Sequence, residues 1–365
     1  MKRLEKITPF IVMDMLKKAR SIPDVSHFEI GEPDMPPSPK VMEAMLNTNN
    51  KIGYTESLGL YSLREKIAAY YYERYKVDIS PTRVVITTGT SAAFLIAYAI
   101  LLDAGDKILF SDPAYPCYKN FAYILNLSPV FAAIDQSTNY QLTIKQLQKY
   151  QNIKAIQISS PSNPIGNICD NLSELIEYCK NIYFISDEIY HGLVYDKVIH
   201  TALEYSDNAI VINGFSKYFC LPGLRLGWMI LPENLVRKAE IVIQNLYISA
   251  PTLSQYAALA AFDDEYLDVI TQTYRERRDY LYKELSQLFT IDIKPEGAFY
   301  IWANINNYAK NSLEFSKLLL EQIHVATAPG VDFGNNNTDK YIRFAYTKDL
   351  SHLQKGVERL RNFLI

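Results

Sequence analysis

Short apolar, β-branched runs recur through the middle of the chain, separated by longer stretches with helical spacing. RVVITT (83–88), KILFSD (107–112), PVFAAI (129–134), IKAIQIS (153–159), IYFIS (182–186), AIVIN (209–213) and LGWMIL (226–231) predict seven strands. Several are apolar throughout rather than alternating, as strands covered on both faces must be. Between them, segments such as AAFLIAYAILLDAG and NLSELIEYCKN place apolar residues at helical intervals. Strands alternating with helices predict an α/β class protein with a mostly parallel sheet over roughly 83–231.

On either side the pattern changes. Residues 233–288 read as long helix interrupted near Ala250–Pro251. The final third, with IDIKPEGAFYIW, LEFSKLLLEQI, KYIRFAY and a closing helix, reads as a smaller α+β unit. The opening MKRLEKITPFIVMDMLKKAR reads as an amphipathic helix, because its apolar stretch is broken by Asp14 and runs into Lys17, Lys18 and Arg20. The expected division is a large domain over 45–250, a small domain from 1–44 plus 280–365, and a connecting helix over 251–279.

Composition narrows the function. With 365 residues, 48% of them hydrophobic, the chain has enough apolar surface for a substantial core, and disorder is excluded. Its 37 basic and 40 acidic residues leave a net charge of −3 with the signs interspersed, so neither nucleic acid nor an anionic membrane is expected as principal partner. A small molecule fits better. No apolar run approaches the roughly 18–20 residues of a membrane span. Cys117, Cys169, Cys179 and Cys220 show no CxxC pairing, which points to no metal site, no disulfide framework and reduced thiols in a cytoplasmic setting.

Candidate chemistry gathers where strands end. VVITTGTSAAF reads strand, turn, helix and sets the amides near Thr90 and Ser91 at a helix N-terminus, either an anion site or an ordinary capped helix. INGFSKYFCLPGLRLGW places Ser216, Lys217 and Arg225 after a strand, where open α/β sheets bind ligands. A hydroxyl and a guanidinium suit a phosphate. Lys217 is then either a nucleophilic amine of lowered pKa or a solvated surface charge. FISDEIY ends a strand on Asp187, helix cap or active-site acid, with Tyr190 three residues on. SSPSNPIGN offers Asn163, which a plain turn also explains. Asn163, Asp187 and Lys217 nevertheless follow three successive strands, 24 and 30 residues apart, so they can converge along one sheet edge.

SDEIY, NGFSKYFCLPGLRLGW and PSNPIG together resemble the signature of class I/II pyridoxal-phosphate-dependent aminotransferases of fold type I, the aspartate aminotransferase-like family. The resemblance covers almost the whole chain. It runs from IGEPDMPPSP through GYTESLGLYSLREKIA, TTGTSAAF and SDPAYPCY to PEGAFYIW, APGVDFG and YIRFAYT. Glycine is scarce, 14 in 365 against an average of about 7%, and eleven of the fourteen lie in these segments.

The resemblance implies a transaminase that moves the amino group of an L-amino acid to a 2-oxo acid. It implies pyridoxal 5'-phosphate held as an internal aldimine on Lys217, which then acts as general base. Asp187 pairs with the pyridine nitrogen, keeping it protonated. Tyr190 and Asn163 bind the ring's phenolic oxygen, and Tyr115 stacks on its face. Thr90, Ser91, Ser216 and Arg225 take the phosphate, joined by Tyr54 from the neighbouring subunit, so a homodimer with shared active sites is expected. Arg343 takes the substrate α-carboxylate and Gly31 lines the same pocket.

Two departures bear on substrate. Thr90 and Ser91 stand where some acidic-substrate enzymes carry a lysine, which argues against strict aspartate specificity. Ser162 and Ile165 replace residues of the commoner NNPTG pattern, with Asn163 and Gly166 retained. The alternative on the same scaffold is a lyase, cystathionine β-lyase-like or ring-closing, because fold and cofactor do not fix which bond breaks. A non-catalytic sensor is disfavoured by the presence of Lys217, and a nicotinamide dehydrogenase by the absence of a GxGxxG after a first strand.

Overall fold

The computed structural model describes residues 4–48 and 51–365. Lys2 and Arg3, which contribute to the reading of the N-terminal segment, lie outside the described residues.

All seven expected strands form and pair in one sheet. They are β1 (Val84–Thr87), β2 (Lys107–Asp112), β3 (Ser128–Ala133), β4 (Ile153–Ser159), β5 (Tyr183–Asp187), β6 (Ile210–Gly214) and β7 (Gly227–Ile230). Their order is β1-β7-β6-β5-β4-β2-β3, with β7 antiparallel to both neighbours and the other pairs parallel. Successive side chains of a strand face opposite ways. Val84 and Ile86 of β1, Val211 of β6 and Trp228 of β7 therefore enter one apolar core, while Val85, Ile210, Ile212 and Met229 enter the other. Both cores are covered by helices, which explains why these strands are apolar throughout. β3 lies at the sheet edge and is only partly buried along most of its length.

The long helical region is broken twice rather than once. Helices form over Glu233–Leu246, Thr252–Ala258 and Asp264–Leu285. Residues 251–279 thus hold one short helix and most of a long one, not a single connecting helix. The second break follows from a tertiary tie: the Asp263 carboxylate accepts from Ser38 Oγ at 2.6 Å and Lys40 Nζ at 2.7 Å. That anchors the start of the long helix to the helix Pro39–Leu46, which in turn packs against Thr252–Ala258.

A second, antiparallel sheet of β8 (Tyr300–Asn304), β9 (Ala328–Pro329) and β10 (Tyr341–Ala345) has the order β9-β10-β8. The amphipathic N-terminal segment becomes the helix Ile11–Ala19. Its Val12 packs with Trp302, Ala328 and Phe333 beside this sheet, while Met15 and Ala19 pack with Val25, Leu320 and Ala326. The Asp332 carboxylate accepts from the amides of Ile11 at 3.1 Å and Val12 at 3.0 Å, satisfying donors that a helix N-terminus leaves open. Among the described residues no helix is long and apolar enough to cross a membrane, and no cluster of metal-ligating side chains occurs. All four cysteines are free.

Candidate active site

β4, β5 and β6 are neighbours in the sheet, so the residues following their carboxyl ends meet. Asn163 comes after β4, Asp187 ends β5, and Lys217 comes three residues after β6. All three line one cavity of about 280 Å³. Thr90, Tyr115 and Tyr190 line it as well, and Gly31 and Arg343 reach it from the N-terminal segment and β10. Eight of the twelve site residues expected from the sequence therefore share one space.

Strand alternation decides which acid faces the cavity. Asp187 does, and its carboxylate accepts from the Tyr118 hydroxyl and from the Ile189 amide at 3.2 Å. Burial pushes its pKa up to about 6, restrained by Tyr118, Ile189 and the charge of Lys217. Glu188 turns away into the core, where it accepts from Thr201 Oγ1 at 2.9 Å and the Ala202 amide at 3.0 Å. Lys217 donates to the Gly31 carbonyl at 2.6 Å. Although the residue keeps some surface toward the cavity, the packing around its ammonium lowers its pKa to about 8, and Arg343 adds to the effect while Glu32 opposes it. A lysine so placed is an amine nucleophile near neutral pH.

Arg343 is 2% exposed. It donates Nη1 to Asn163 Oδ1 at 2.8 Å and Nη2 to the Glu29 carbonyl at 2.6 Å, while its buried Nε has no partner. The guanidinium lies over the rings of Tyr300 and Phe333, at 4.2 and 4.8 Å from their centroids. The Tyr190 and Tyr300 hydroxyls meet at 2.8 Å. Tyr115 sets its ring edgewise to Tyr118 at 5.3 Å and Phe10 at 6.2 Å. Gly31 is confined, since a Cβ there would fall 2.0 Å from the Tyr300 hydroxyl.

The helix Thr90–Leu101 begins after Gly89, whose φ of 80° suits glycine, and no side chain caps its first amides. Arg225 stands beside it: a Cβ on Gly89 would lie 3.0 Å from Arg225 Nη2. The turn rests on the sheet backbone, for a Cβ on Gly227 would lie 2.9 Å from Gly89 C and Thr90 N. Open helix-end amides next to a guanidinium can receive an anion such as a phosphate. Ser91, Ser216 and Arg225 do not line the cavity itself. Tyr54 lies outside it, 80% exposed.

Sequence reasoning missed Tyr118, Tyr300 and the wall formed by Phe10, Val12, Met13, Leu16 and Arg20. Tyr118 and Tyr300 sit inside the quoted motifs SDPAYPCY and PEGAFYIW, so a signal for them was present. The N-terminal helix offered only amphipathicity.

Residues 23–360 match the family model for class I and II aminotransferases, and the chain belongs to that family. It is an aminotransferase of fold type I, and the lyase alternative is not favoured. Over its whole length, and 99% of the relative's, it is 39% identical to a (5-formylfuran-3-yl)methyl phosphate transaminase of Methanocaldococcus jannaschii. It is 33% identical to a valine–pyruvate aminotransferase of Mycobacterium tuberculosis, with 98% of this chain and 97% of that one covered. Among solved structures, an aminotransferase from Mycobacterium tuberculosis superposes with a TM-score of 0.95 at 33% identity, covering 99% and 97% of the two chains. An aspartate aminotransferase from Thermotoga maritima does so with 0.93 at 30% identity, covering 100% and 99%.

Proposed function

We propose that the cavity holds pyridoxal 5'-phosphate on Lys217 and transfers the amino group of an L-amino acid to a 2-oxo acid. The observation that carries this reading is the convergence of Asn163, Asp187 and Lys217 from three adjacent strands upon one cavity faced by Arg343. When bound, the cofactor supplies an electrophilic carbon for amines and a ring that accepts the electron pair left on Cα. The residues present fit it. Asp187 offers a buried carboxylate to the pyridine nitrogen, and Asn163 and Tyr190 offer donors to the phenolic oxygen. The open amides at Thr90 and Ser91, with Ser216 and Arg225, receive the phosphate, and Tyr115 covers the ring.

With the cofactor bound, Lys217 would be the base placed to move the proton at substrate Cα. Its pKa near 8 suits that duty at neutral pH. Arg343, already aimed by Asn163 and the Glu29 carbonyl, takes the α-carboxylate, and Gly31 leaves room beside it. The large domain spans 45–250 and the small one 1–44 with 280–365, joined by 251–279, so the site lies between them. Tyr54 is 80% exposed, with Ile52 beside it at 83%, which supports a homodimer in which Tyr54 completes the partner's phosphate site.

The test is the visible spectrum of the protein with pyridoxal phosphate, before and after a panel of amino acids, with keto acid and ammonia assayed on the same samples. Stoichiometric keto acid without ammonia is expected. Absence of a cofactor band would remove the reading.

A further inference from the structure

The N-terminal helix presents Met13, Leu16 and Arg20 along one face, at spacings of three and four residues, and all three line the cavity. Phe10, Val12 and Ile30 join them, so this wall is apolar apart from Arg20 and Glu32. Arg20, Leu16, Ile30 and Glu32 also line a second cavity of about 400 Å³, so the two spaces share a wall. Arg20 therefore stands where a substrate side chain leaving the reaction centre would end.

Its position is fixed from behind. Ala19 and Met15 are buried, the Arg20 amide donates to the Leu16 carbonyl at 2.9 Å, and Asp332 holds the far end of the helix. Its charge is free. Lys18 pairs with Glu321, and Lys355 and Arg359 pair with Asp24, whereas the Arg20 guanidinium makes no ion pair or side-chain hydrogen bond among the described residues. Of the cations lining the first cavity, Lys217 is committed to the cofactor and Arg343 to the α-carboxylate, which leaves Arg20 without a partner. Other charges face the same mouth. Glu32 lines both cavities, and Glu29, His27 and Lys348 line the outer one, with Glu29 Oε1 held by His27 Nδ1 at 2.8 Å.

We propose that Arg20 is a specificity-determining residue that binds an anionic group at the distal end of a substrate side chain, so that one of the two substrate partners is an acidic amino or oxo acid with a short apolar spacer. This rests on the assignment of Lys217 and Arg343 given above. A guanidinium recognises carboxylate and phosphate through the same paired N–H donors, so the distal group is defined by its charge and its two or more acceptor oxygens. Selection arises as a difference: an uncharged side chain leaves Arg20 solvated, while an anion gains a charge-assisted contact.

The experiment compares 2-oxoglutarate and 3-phosphohydroxypyruvate, each against 2-oxopentanoate, in wild type, Arg20→Ala, Arg20→Lys and Glu32→Gln holoenzymes. Arg20→Ala should lower the kcat/KM ratio of acidic to neutral oxo acid by roughly 10- to 100-fold, the range expected for losing a charged hydrogen bond. Most of the loss should lie in KM, and Arg20→Lys should restore part of it. The preferred probe tells carboxylate from phosphate. Calorimetric titration of the holoenzymes with glutarate and pentanoate gives the same comparison without turnover, so it holds even if transamination itself fails. An unchanged preference for glutarate in Arg20→Ala would overturn the proposal. So would a larger loss of acidic-substrate preference in Glu32→Gln than in Arg20→Ala, because the mouth would then act through its carboxylate.

Discussion

The two walls of the cavity are built in different ways. One is the rim of the large sheet, where Asn163, Asp187 and Lys217 follow β4, β5 and β6, strands whose partners on both sides are fixed by ladders of backbone hydrogen bonds. The other joins the N-terminal helix and the Gly31 segment to β10, more than 300 residues away in sequence, and is held by side chains such as Asp332 and by the Arg343 bond to the Glu29 carbonyl. The first wall carries groups whose pKa values are moved by burial, as at Asp187 and Lys217. The second carries the groups proposed to recognise substrate. On the proposed function, chemistry sits on the hydrogen-bonded sheet and choice of substrate on the wall held by side-chain contacts.

Four measurements can break or sharpen that contrast. The largest effect belongs to the sheet wall: Lys217→Ala should lose turnover by at least about 10³-fold while retaining cofactor binding, because nucleophile and proton carrier vanish together. Single-turnover kinetics with an added amino acid reads this, and normal turnover would refute the proposed mechanism. On the opposite wall, Arg343→Ala should weaken carboxylate recognition by about 2–5 kcal/mol in kcat/KM, the range for removing one member of a desolvated charged contact. It should also lower Tm, since Asn163 Oδ1 and the Glu29 carbonyl lose a donor. An unchanged kcat/KM would place α-carboxylate binding elsewhere.

Tyr118→Phe takes a donor from Asp187 and so lets burial, the main cause of its raised pKa, push that pKa further up. Cofactor affinity should fall by about 1.5–3 kcal/mol, as for a hydrogen bond to a charged group, measured by equilibrium titration with the cofactor. The smallest effect is the pH response of the cofactor-free protein. Lys217 has its pKa depressed from 10.5 to about 8, so below pH 8 the folded protein bears the full penalty of a buried ammonium, and stability should rise between about pH 8 and 10.5 as the folded form sheds its proton first. A melting series of the cofactor-free protein against Lys217→Ala isolates the lysine's contribution. Identical pH profiles would show that the ammonium is better solvated than its packing implies.

The sheet was legible from the chain because each strand declares itself through local apolar runs, and the groups after β4, β5 and β6 inherit their convergence from parallel topology. The break before Asp264 was not, since nothing within 251–279 announces the bond of Asp263 to Ser38 and Lys40, more than 220 residues away. Tyr118 and Tyr300 stood inside recognisable motifs, but their roles depend on contacts 69 and 110 residues distant, with Asp187 and Tyr190. Arg20 had no motif at all. Only the packing of Met15 and Ala19 turns it toward the cavity rather than toward water on another side.

That last arrangement has a consequence for how such an enzyme changes over generations. The Ile11–Ala19 helix separates its duties by face: Val12, Met15 and Ala19 are buried in the core, Val12 also touching the cavity, while Met13, Leu16 and Arg20 border open space. Exchanging any of the second set creates no void and strips no partner from a buried group. Substrate range can therefore drift through a few codons of one helix while the fold and the reaction centre stay under separate selection, and a library randomised at those three positions is a direct route to new donors and acceptors.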